Sequence, residues 1–342
     1  MISGSISRVL IVGLGSIGER HISILKRLFP TISIAVLRHK KNNAQPGISG
    51  VNCFLSSIES ALEFQPQVAI ITNPASYHVS IATPLVKAGI HLLIEKPVSN
   101  NNEGLDDLIK ISKEKNVILM IGYNLRFLPS LQAFRRYLTD KKVGKALSVR
   151  VEAGQYLPNW RINKNYRETV SAQRSLGGGV LLELSHEIDY LLWLFGPVDW
   201  VKSYVSTQSD LDIDVEDTAN IILGFTKDVA DYQLTASLNL DFIRHDTTRN
   251  CLVIGDKGSL KWDGVIGTVD VFEKGENCWK TIFSDRPEPN QTYEKELKHF
   301  FDCVEKNKSP LITIEDGQES VKVIEAIRLS SENKKQVKLR IA

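Results

Sequence analysis

The stretch Arg8–Arg20, RVLIVGLGSIGER, decides how the first part of this chain folds. Its apolar residues Val9–Val12 predict a short buried strand, and a helical pattern follows, so G-L-G-S-I-G occupies a strand-to-helix turn. In that context G-x-G-x-x-G is a dinucleotide fingerprint, because its glycines permit a tight turn, close approach of a pyrophosphate and close helix packing. The N–H groups of the helix N-terminus would face the phosphates. We therefore predict a dinucleotide bound by Gly13, Gly15, Ser16, Ile17 and Gly18; the alternative is a glycine-rich turn that binds nothing.

The end of the next predicted strand, Ile32–Leu37, bears on which dinucleotide binds. An Asp or Glu about 20 residues beyond the glycines bonds the ribose 2′-OH of NAD, whereas an Arg there accommodates the 2′-phosphate of NADP. This chain has Arg38 at that place, followed by His39, Lys40 and Lys41. The pattern favours NADP over NAD, and the alternative is a solvated basic loop.

Strands and helices alternate at short intervals up to residue 123. The predicted strands are Val68–Thr72, Ile90–Ile94 and Val117–Gly122, and the predicted helices are Tyr77–Ala88 and Leu105–Lys115. This alternation predicts a parallel, doubly wound sheet whose ligands lie outside the carboxyl ends of the strands. We expect further cofactor contacts at those ends, from Thr72, Asn73, Pro74, His78, Glu95, Lys96 and Asn124.

Beyond Tyr123 the pattern changes to a series of strands with few helices between them. Alternating runs such as Ala219–Phe225 and Arg249–Ile254 predict an open, mostly antiparallel sheet. We therefore predict two domains, a Rossmann-type α/β domain over residues 1–123 and an α+β domain over residues 124–342.

Composition sets bounds on function. The chain has 342 residues, 24% of them charged, and a formal net charge of +2, which is too small to indicate a nucleic-acid or membrane partner. Its first residues lack the uninterrupted apolar core of a signal peptide, so we expect a cytoplasmic protein. Four cysteines without a C-x-x-C pair indicate reduced thiols, with neither a disulfide framework nor a zinc site, and we expect no metal.

Two places carry groups suited to acid–base chemistry. Lys96 lies at the end of a buried apolar strand, just before Pro97, and is placed at the predicted cofactor cleft. The alternative is an ordinary surface lysine. Within a predicted helix, Val180–Phe195, an apolar stripe opposes a polar one formed by Glu183, His186, Glu187 and Tyr190. Read alone, this pattern is that of an amphipathic helix with an exposed polar face.

From Val9 through at least Phe195 the sequence resembles the GFO/IDH/MocA oxidoreductase family, which includes glucose–fructose oxidoreductase and inositol dehydrogenase. The resemblance rests on the glycine fingerprint, Asn73-Pro74 with His78, Glu95-Lys96-Pro97, and the glycines 177–179 before the helix carrying His186 and Asp189. It implies a Rossmann domain, a second domain with an open antiparallel sheet, and hydride transfer at a carbon bearing a hydroxyl or keto group, usually on a sugar or cyclitol.

By that resemblance Lys96 and His186 are the catalytic pair. One removes the hydroxyl proton as hydride leaves the same carbon for the nicotinamide, and reduction runs these steps backward; which of the two is the base stays open. Many members carry an Asp four residues before this His, where this chain has Leu182. Glu183 takes over that role, or Asp189 does, or the third group is absent; we count Glu183 among the candidate catalytic residues.

A loop rich in aromatic residues and arginines precedes the three glycines. Aromatic faces pack on sugar rings, and guanidinium groups bind carboxylate or phosphate through paired N–H donors. The composition, and a resemblance to family members of surface-polysaccharide or sugar-acid pathways, indicate a site for an anionic sugar; a subunit contact is an equal alternative. We expect substrate contacts from Lys96, Tyr123, Arg126, Trp160, Arg161, Tyr166, Arg167, His186 and Asp189.

The leading hypothesis is thus an NADP- or NAD-dependent dehydrogenase or reductase of a sugar derivative, assembled as a homodimer or homotetramer. A reductase of a diol or cyclic imine and a non-catalytic dinucleotide sensor are the alternatives. A sensor has no chemical need for Lys96 or His186, so their presence favours an enzyme.

Overall fold

The structure is a computed structural model that describes residues 6–38, 49–161, 164–226 and 233–339. It contains two compact units. The first is the chain up to Asn124 together with Asn290–Val321, and the second is Leu125–Pro289 together with the chain from Lys322 onward. The predicted division into 1–123 and 124–342 therefore differs from the structure at residue 124 and at residues 290–321. That segment packs on the first unit through contacts such as the stacking of Phe301 on Phe29, with ring centroids 4.8 Å apart.

The first unit is built on a sheet whose six strands are all parallel, in the order β3-β2-β1-β4-β5-β6. The strands are β1 Arg8–Val12, β2 Ser33–Leu37, β3 Cys53–Leu55, β4 Val68–Ile71, β5 His91–Glu95 and β6 Leu119–Gly122. Four helices connect them: α1 Ser16–Leu28, α2 Ile58–Glu63, α3 His78–Lys87 and α4 Leu105–Glu114. The strand order reverses between β1 and β4, and ligands of such sheets bind at this position, outside the carboxyl ends.

The second unit contains a nine-stranded sheet in the order β14-β13-β12-β11-β7-β10-β9-β8-β15. Only the β7–β10 pair is parallel among its described pairings, which confirms the predicted mostly antiparallel sheet. Its strands are β7 Ala146–Gly154, β8 Val198–Ser206, β9 Thr218–Phe225, β10 Thr235–Asp241, β11 Thr248–Gly255, β12 Gly258–Asp263, β13 Thr268–Glu273, β14 Lys280–Ser284 and β15 Val337–Lys338.

The α-helices described wholly within this second unit are α5 Pro129–Thr139, α6 Val180–Glu183 and α7 His186–Phe195. Trp262 lies at the centre of the core, fully buried, with its indole N–H donating to the Ser130 hydroxyl at 3.0 Å and Tyr190 edge-on at 5.4 Å. One face of the sheet is therefore covered by helices.

Two longer helices close the chain. They are α8 Gln291–Lys306, within the first unit, and α9 Ile314–Asn333. Along the described ranges no helix combines the length and the apolar character needed to cross a bilayer. All four cysteines are free thiols.

Candidate active site

The glycine turn leaves open space above the N-terminus of α1. Gly13 has φ +92°, and a Cβ there would lie 2.9 Å from the Asn73 amide nitrogen, while one on Gly18 would lie 2.6 Å from the Gly13 carbonyl oxygen. Gly15, the N-cap, differs because no atom lies within 4 Å of its Cβ position, and no side chain caps the helix. Gly13 and Gly18 thus permit close packing of the protein backbone, and Gly15 permits close approach of a ligand. These residues therefore fit the pyrophosphate of a dinucleotide.

The predicted contacts at the ends of β2 and β4 lie beside this turn. Arg38 follows β2, half-buried, and its backbone N–H donates to the Leu55 carbonyl at 2.9 Å. Residues His39–Lys41, which contribute to the NADP prediction, lie outside the described residues. The Thr72 hydroxyl donates to the Val12 carbonyl at 2.9 Å, so it holds the end of β4 against the end of β1.

His78 joins two strand ends. Its Nε2 lies 2.7 Å from the Asn73 carbonyl oxygen and its Nδ1 3.0 Å from the Pro97 carbonyl oxygen. Burial lowers the pKa of His78, and these two carbonyls together with the nearby Glu95 offset part of that effect. The ring is fully buried, so the structure makes His78 a residue that positions the turns after β4 and β5.

The segment after β5 places Lys96 at the carboxyl edge of the sheet. Lys96 is half-buried, and the Lys96–Pro97 peptide is cis. The preceding carboxylate, Glu95, is buried and accepts a hydrogen bond from His21 Nε2 at 2.7 Å. Tyr123 and Asn124 follow β6 and are also buried; the Asn124 amide donates to the Thr292 hydroxyl at 2.8 Å.

This unit also contains a cluster of three titratable side chains that was not predicted from the sequence. His21, Glu95 and Glu296 are all buried, and one potential ligand atom from each lies within 4.8 Å of the other two. Divalent cations can bind to a set of two carboxylates and an imidazole. The signal was in the sequence, because His21 lies between Gly18, Ile22 and Leu25 on the apolar face of α1, and Glu296 lies beside Leu297 and Phe300 on that of α8.

In the second unit, the three glycines shape the entry to α6. Gly177 and Gly179 have φ of +83° and +105°, and a Cβ on Gly179 would collide with the Glu216 carboxylate. The Glu216 backbone carbonyl accepts from the Val180 N–H at 3.1 Å. The Glu216 side chain also accepts from the Leu181 N–H at 3.4 Å, so a residue 36 positions away from Val180 caps the start of α6.

The predicted single helix Val180–Phe195 is wrong, since α6 ends at Glu183 and α7 begins at His186. The alternative interpretation of this segment, an amphipathic helix with an exposed polar face, is wrong as well. Glu187 is 0% exposed and bonds Arg249 at 2.7 Å, and Tyr190 is also fully buried. The break places His186 in the first turn of α7; both it and Glu183 are half-buried.

Asp189 and Arg126, two of the predicted substrate contacts, are partners of one another. Arg126 Nε donates to Asp189 Oδ2 at 3.1 Å and its NH2 to Oδ1 at 2.7 Å, with both side chains buried. The Trp193 ring lies 5.5 Å from the guanidinium carbon. This geometry gives Asp189 a structural role within the second unit.

The aromatic and arginine loop lines a shallow surface cavity, whose empty volume of about 200 Å³ includes open solvent. Its lining is mixed: Leu157, Trp160, Arg161, Tyr166, Thr169 and Ser171. The Trp160 N–H donates to the Gln155 carbonyl at 3.1 Å, and its ring meets Phe242 edge-on at 5.1 Å, so the indole is held in place. The cavity therefore brings together three residues that the sequence analysis assigned to substrate.

The arginines of this loop differ in what they already bind. Arg167 Nε donates to Asp212 at 2.9 Å, and Arg174 Nε donates to the Asp214 carbonyl at 3.1 Å. Among the residues that the structure describes, the Arg161 guanidinium has no hydrogen-bond or ion-pair partner. Arg161 is thus the arginine of the cavity with donors available to an anion.

Fold and site together define a class of protein, the dinucleotide-dependent oxidoreductases. The sequence matches the profile of an oxidoreductase family's NAD-binding Rossmann fold over residues 7–123 and that of its C-terminal alpha/beta domain over residues 135–339. The chain belongs to this family, GFO/IDH/MocA, and is an NAD(P)-dependent dehydrogenase or reductase. The resemblance, the fold class and the enzyme class predicted from sequence are confirmed.

Similar proteins agree with this assignment. Myo-inositol 2-dehydrogenase from Thermotoga maritima is 26% identical over 347 residues, which cover 97% of this chain and 98% of that protein. The levoglucosan dehydrogenase complex with NADH superposes with a TM-score of 0.85 at 20% identity, covering 98% of this chain and all of that chain. WlbA dehydrogenase from Bordetella pertussis, in complex with NADH and UDP-GlcNAcA, gives 0.80 at 21% identity, covering 99% and 100%.

Proposed function

We propose that this protein transfers hydride between a nicotinamide dinucleotide and a hydroxyl- or keto-bearing carbon of an anionic sugar derivative, either a sugar acid or a nucleotide sugar. The observation that carries the proposal is the cavity in which Arg161 lies beside the rings of Trp160 and Tyr166. Rings offer apolar faces to a sugar, and a guanidinium offers paired donors to carboxylate or phosphate. The names of the similar proteins, which refer to an inositol, levoglucosan and UDP-GlcNAcA, support a sugar or cyclitol substrate, and the last of the three is an anionic sugar derivative.

Lys96 and His186 supply the proton-transfer chemistry in this proposal. When bound, the nicotinamide supplies the hydride acceptor or donor. Lys96 extends from the turn that His78 and Glu95 hold, and His186 begins a helix whose next polar residues are anchored by Arg249 and Arg126. Both groups are therefore carried on supports fixed by buried hydrogen bonds, as proton transfer in a defined geometry requires.

We further propose that NADP is preferred over NAD, because Arg38 follows β2 and no acidic side chain occupies that place. An Arg there binds the 2′-phosphate, whereas an acidic residue would bind the ribose hydroxyl. The test is a fluorescence titration of wild type and Arg38→Ala with NADPH and NADH. We expect NADPH affinity alone to fall in the variant; equal losses for the two dinucleotides would assign Arg38 to a solvated loop.

The substrate assignment is tested by steady-state kinetics against sugar acids, nucleotide sugars and their neutral counterparts. Arg161→Ala should raise KM for the anionic substrate at least tenfold and leave KM for a neutral sugar unchanged, since a charge-assisted bond contributes about 1.5–3 kcal/mol. Arg150→Ala, an exposed change on β7, is the matched control. Unchanged affinity in both Arg161→Ala and Trp160→Ala would refute the assignment of this loop.

We propose a homodimer or homotetramer as the working assembly. Tyr204 and Ile222, on neighbouring strands β8 and β9, are 60% and 45% exposed although they are large and apolar. Exposed apolar side chains on an open sheet support self-association. Sedimentation equilibrium of wild type and Ile222→Lys measures it, and a monomeric wild type would refute it.

A further inference from the structure

The buried cluster of His21, Glu95 and Glu296 contains two carboxyl groups, and only one of them receives a hydrogen bond within the cluster. Helix α1 supplies the imidazole, the end of β5 supplies Glu95, and α8 supplies Glu296. Glu95 accepts the His21 N–H at 2.7 Å. Neither carboxylate oxygen of Glu296 has a donor within the described part of the chain, and its side chain is 0% exposed. An ionised carboxylate in such surroundings requires either a cation or a proton.

The charged and titratable groups around the cluster do not supply a cation for Glu296. Tyr293, one turn before Glu296 on α8, sets its ring edge-on to His21 with centroids 5.8 Å apart. The Arg20 guanidinium lies over that ring, 4.8 Å from its centroid. On the β6 side the neighbour is Gly122, where a Cβ would lie 3.1 Å from Glu95 Oε2. Among these described neighbours, only Arg20 is permanently cationic, and it is engaged with Tyr293.

The hydrogen-bond geometry of His21 favours a proton over a metal cation. A metal bound to Nε2 would place the ring proton on Nδ1, and histidines that bind metals almost always donate that second N–H to an acceptor. Here Nδ1 is buried with no acceptor among the described residues. The tautomer with its proton on Nε2, donated to Glu95, satisfies the polar atoms better. That tautomer cannot bind a metal through Nε2 and leaves Nδ1 as the ring nitrogen that could do so, which the metal content of the purified protein tests.

We propose that Glu296 is a neutral carboxylic acid at physiological pH, that its proton keeps Glu95 the single carboxylate of the cluster, and that Glu296 thereby positions Lys96. Glu95 is the one of the pair that receives an N–H, and this bond favours its charged form, so the proton resides on Glu296. Burial, with the charge of Glu95 added, raises the pKa of Glu296 well above its usual value. Because Glu95 and Lys96 share a peptide bond, the position of Glu95 also fixes the start of the Lys96 side chain; this last step rests on the proposed function of Lys96.

The proton is tested directly by infrared difference spectroscopy of wild type against Glu296→Gln at pH 7. The spectrum should contain one carboxylic acid C=O band in wild type that is absent from the variant. Glu305→Gln, an exposed change on the same helix, is the matched control and should leave the band in place. No acid band in wild type, or a stoichiometric divalent metal in the purified protein that Glu296→Gln loses, would overturn the proposal.

Stability against pH gives a second, independent readout. A group whose folded pKa is raised contributes stability that is lost as pH rises from its unfolded value through its folded value. The Tm of wild type should therefore fall relative to that of Glu296→Gln, in which the neutral form is permanent, as pH rises from about 5 to 7, above the unfolded pKa of about 4.3. Parallel curves for the two proteins over that range would contradict a raised proton affinity at this site.

Steady-state kinetics at pH 7 test whether Glu296 positions Lys96, independently of its protonation state. Glu296→Gln should keep wild-type kcat, because it keeps a neutral side chain of the same size beside Glu95. Glu296→Ala leaves that space unfilled, so Glu95 and Lys96 shift, and kcat should fall by about 10²-fold with dinucleotide affinity unchanged, the effect of a misplaced reacting group. If the acid band is present but both variants keep wild-type kcat, the positioning role is refuted. If Lys96→Ala itself keeps full turnover, the proposed function of Lys96 fails while the proton assignment to Glu296 stands.

Discussion

The guanidinium of Arg126 and the carboxylate of Asp189 form a two-point ion pair, with N···O distances of 3.1 and 2.7 Å, in which both side chains are almost completely buried. Asp189 lies on α7, the helix that begins with His186, and Arg126 lies in the segment that follows the first unit. Removing one member of a buried pair leaves the other charge uncompensated. This pair therefore fixes the orientation of α7 within its unit.

Asp189→Asn should reduce the free energy of unfolding by about 3–5 kcal/mol, because Arg126 stays charged and buried. Urea denaturation measures the loss. The control is Asp212→Asn, which breaks the exposed pair with Arg167 and should cost no more than about 1 kcal/mol. A loss below about 1 kcal/mol in Asp189→Asn would show that Arg126 has another acceptor.

The glycine turn allows binding to be separated from folding. Gly15→Ala adds a methyl group where no atom lies within 4 Å, so the unliganded Tm should change by no more than about 2 °C, while dinucleotide affinity should fall at least tenfold. Gly18→Ala should instead lower the Tm of the unliganded protein, because its methyl group collides with the Gly13 carbonyl oxygen. Thermal melts and dinucleotide titrations of both variants check this. Unchanged dinucleotide affinity in Gly15→Ala would show that this turn does not bind the pyrophosphate.

Much of this architecture was predictable because periodic local patterns specify it. The glycine turn and the alternating strands from β8 to β14 each follow from residues within a short window, and the parallel pairing of the first sheet follows from the regular alternation of strands and helices. The three-residue strand β3 and the short helix α2 were missed, since Cys53–Leu55 is a half-exposed edge strand with too few residues to show a period.

The errors at α6 and α7 have a different cause, since the partners that bury polar residues come from distant segments. Glu187 appeared as part of a solvated face, but its partner Arg249 is on β11, 62 residues away. Asp189 finds its partner 63 residues earlier, in Arg126. Helical periodicity reports which residues share a face, and it does not show which distant side chain will cover that face.

His78 makes folding stability depend on pH in the acidic range. Burial lowers its folded pKa, so the unfolded chain binds more protons near pH 6, and stability is lost as pH falls through the unfolded value of about 6.5. His78→Gln removes this titration, so its free energy of unfolding should change less between pH 7 and 5 than that of wild type. Urea titrations at pH 5, 6 and 7 measure both slopes; identical slopes would show that His78 binds a proton equally in both states.

The turn after β5 makes Lys96 the residue on which the proposed chemistry depends most directly. It is anchored on one side by Glu95, bonded to His21, and on the other by Pro97, whose carbonyl oxygen lies 3.0 Å from His78. Loss of a positioned acid–base group lowers rates by about 10²–10⁴-fold. Lys96→Met should therefore lower kcat by that factor and leave dinucleotide affinity within about threefold of wild type, while the exposed Lys87→Met should change neither.

The pH profile of kcat/KM for substrate oxidation then decides between Lys96 and His186 as the base. A base must be deprotonated to accept the hydroxyl proton, so activity falls on the acid side of its pKa. Replacing the base removes that acid limb from the residual activity, whereas replacing the other group lowers the rate and preserves the limb. If Lys96→Met and His186→Gln both keep full turnover, neither residue transfers the proton, and the proposed reaction at these two groups is refuted.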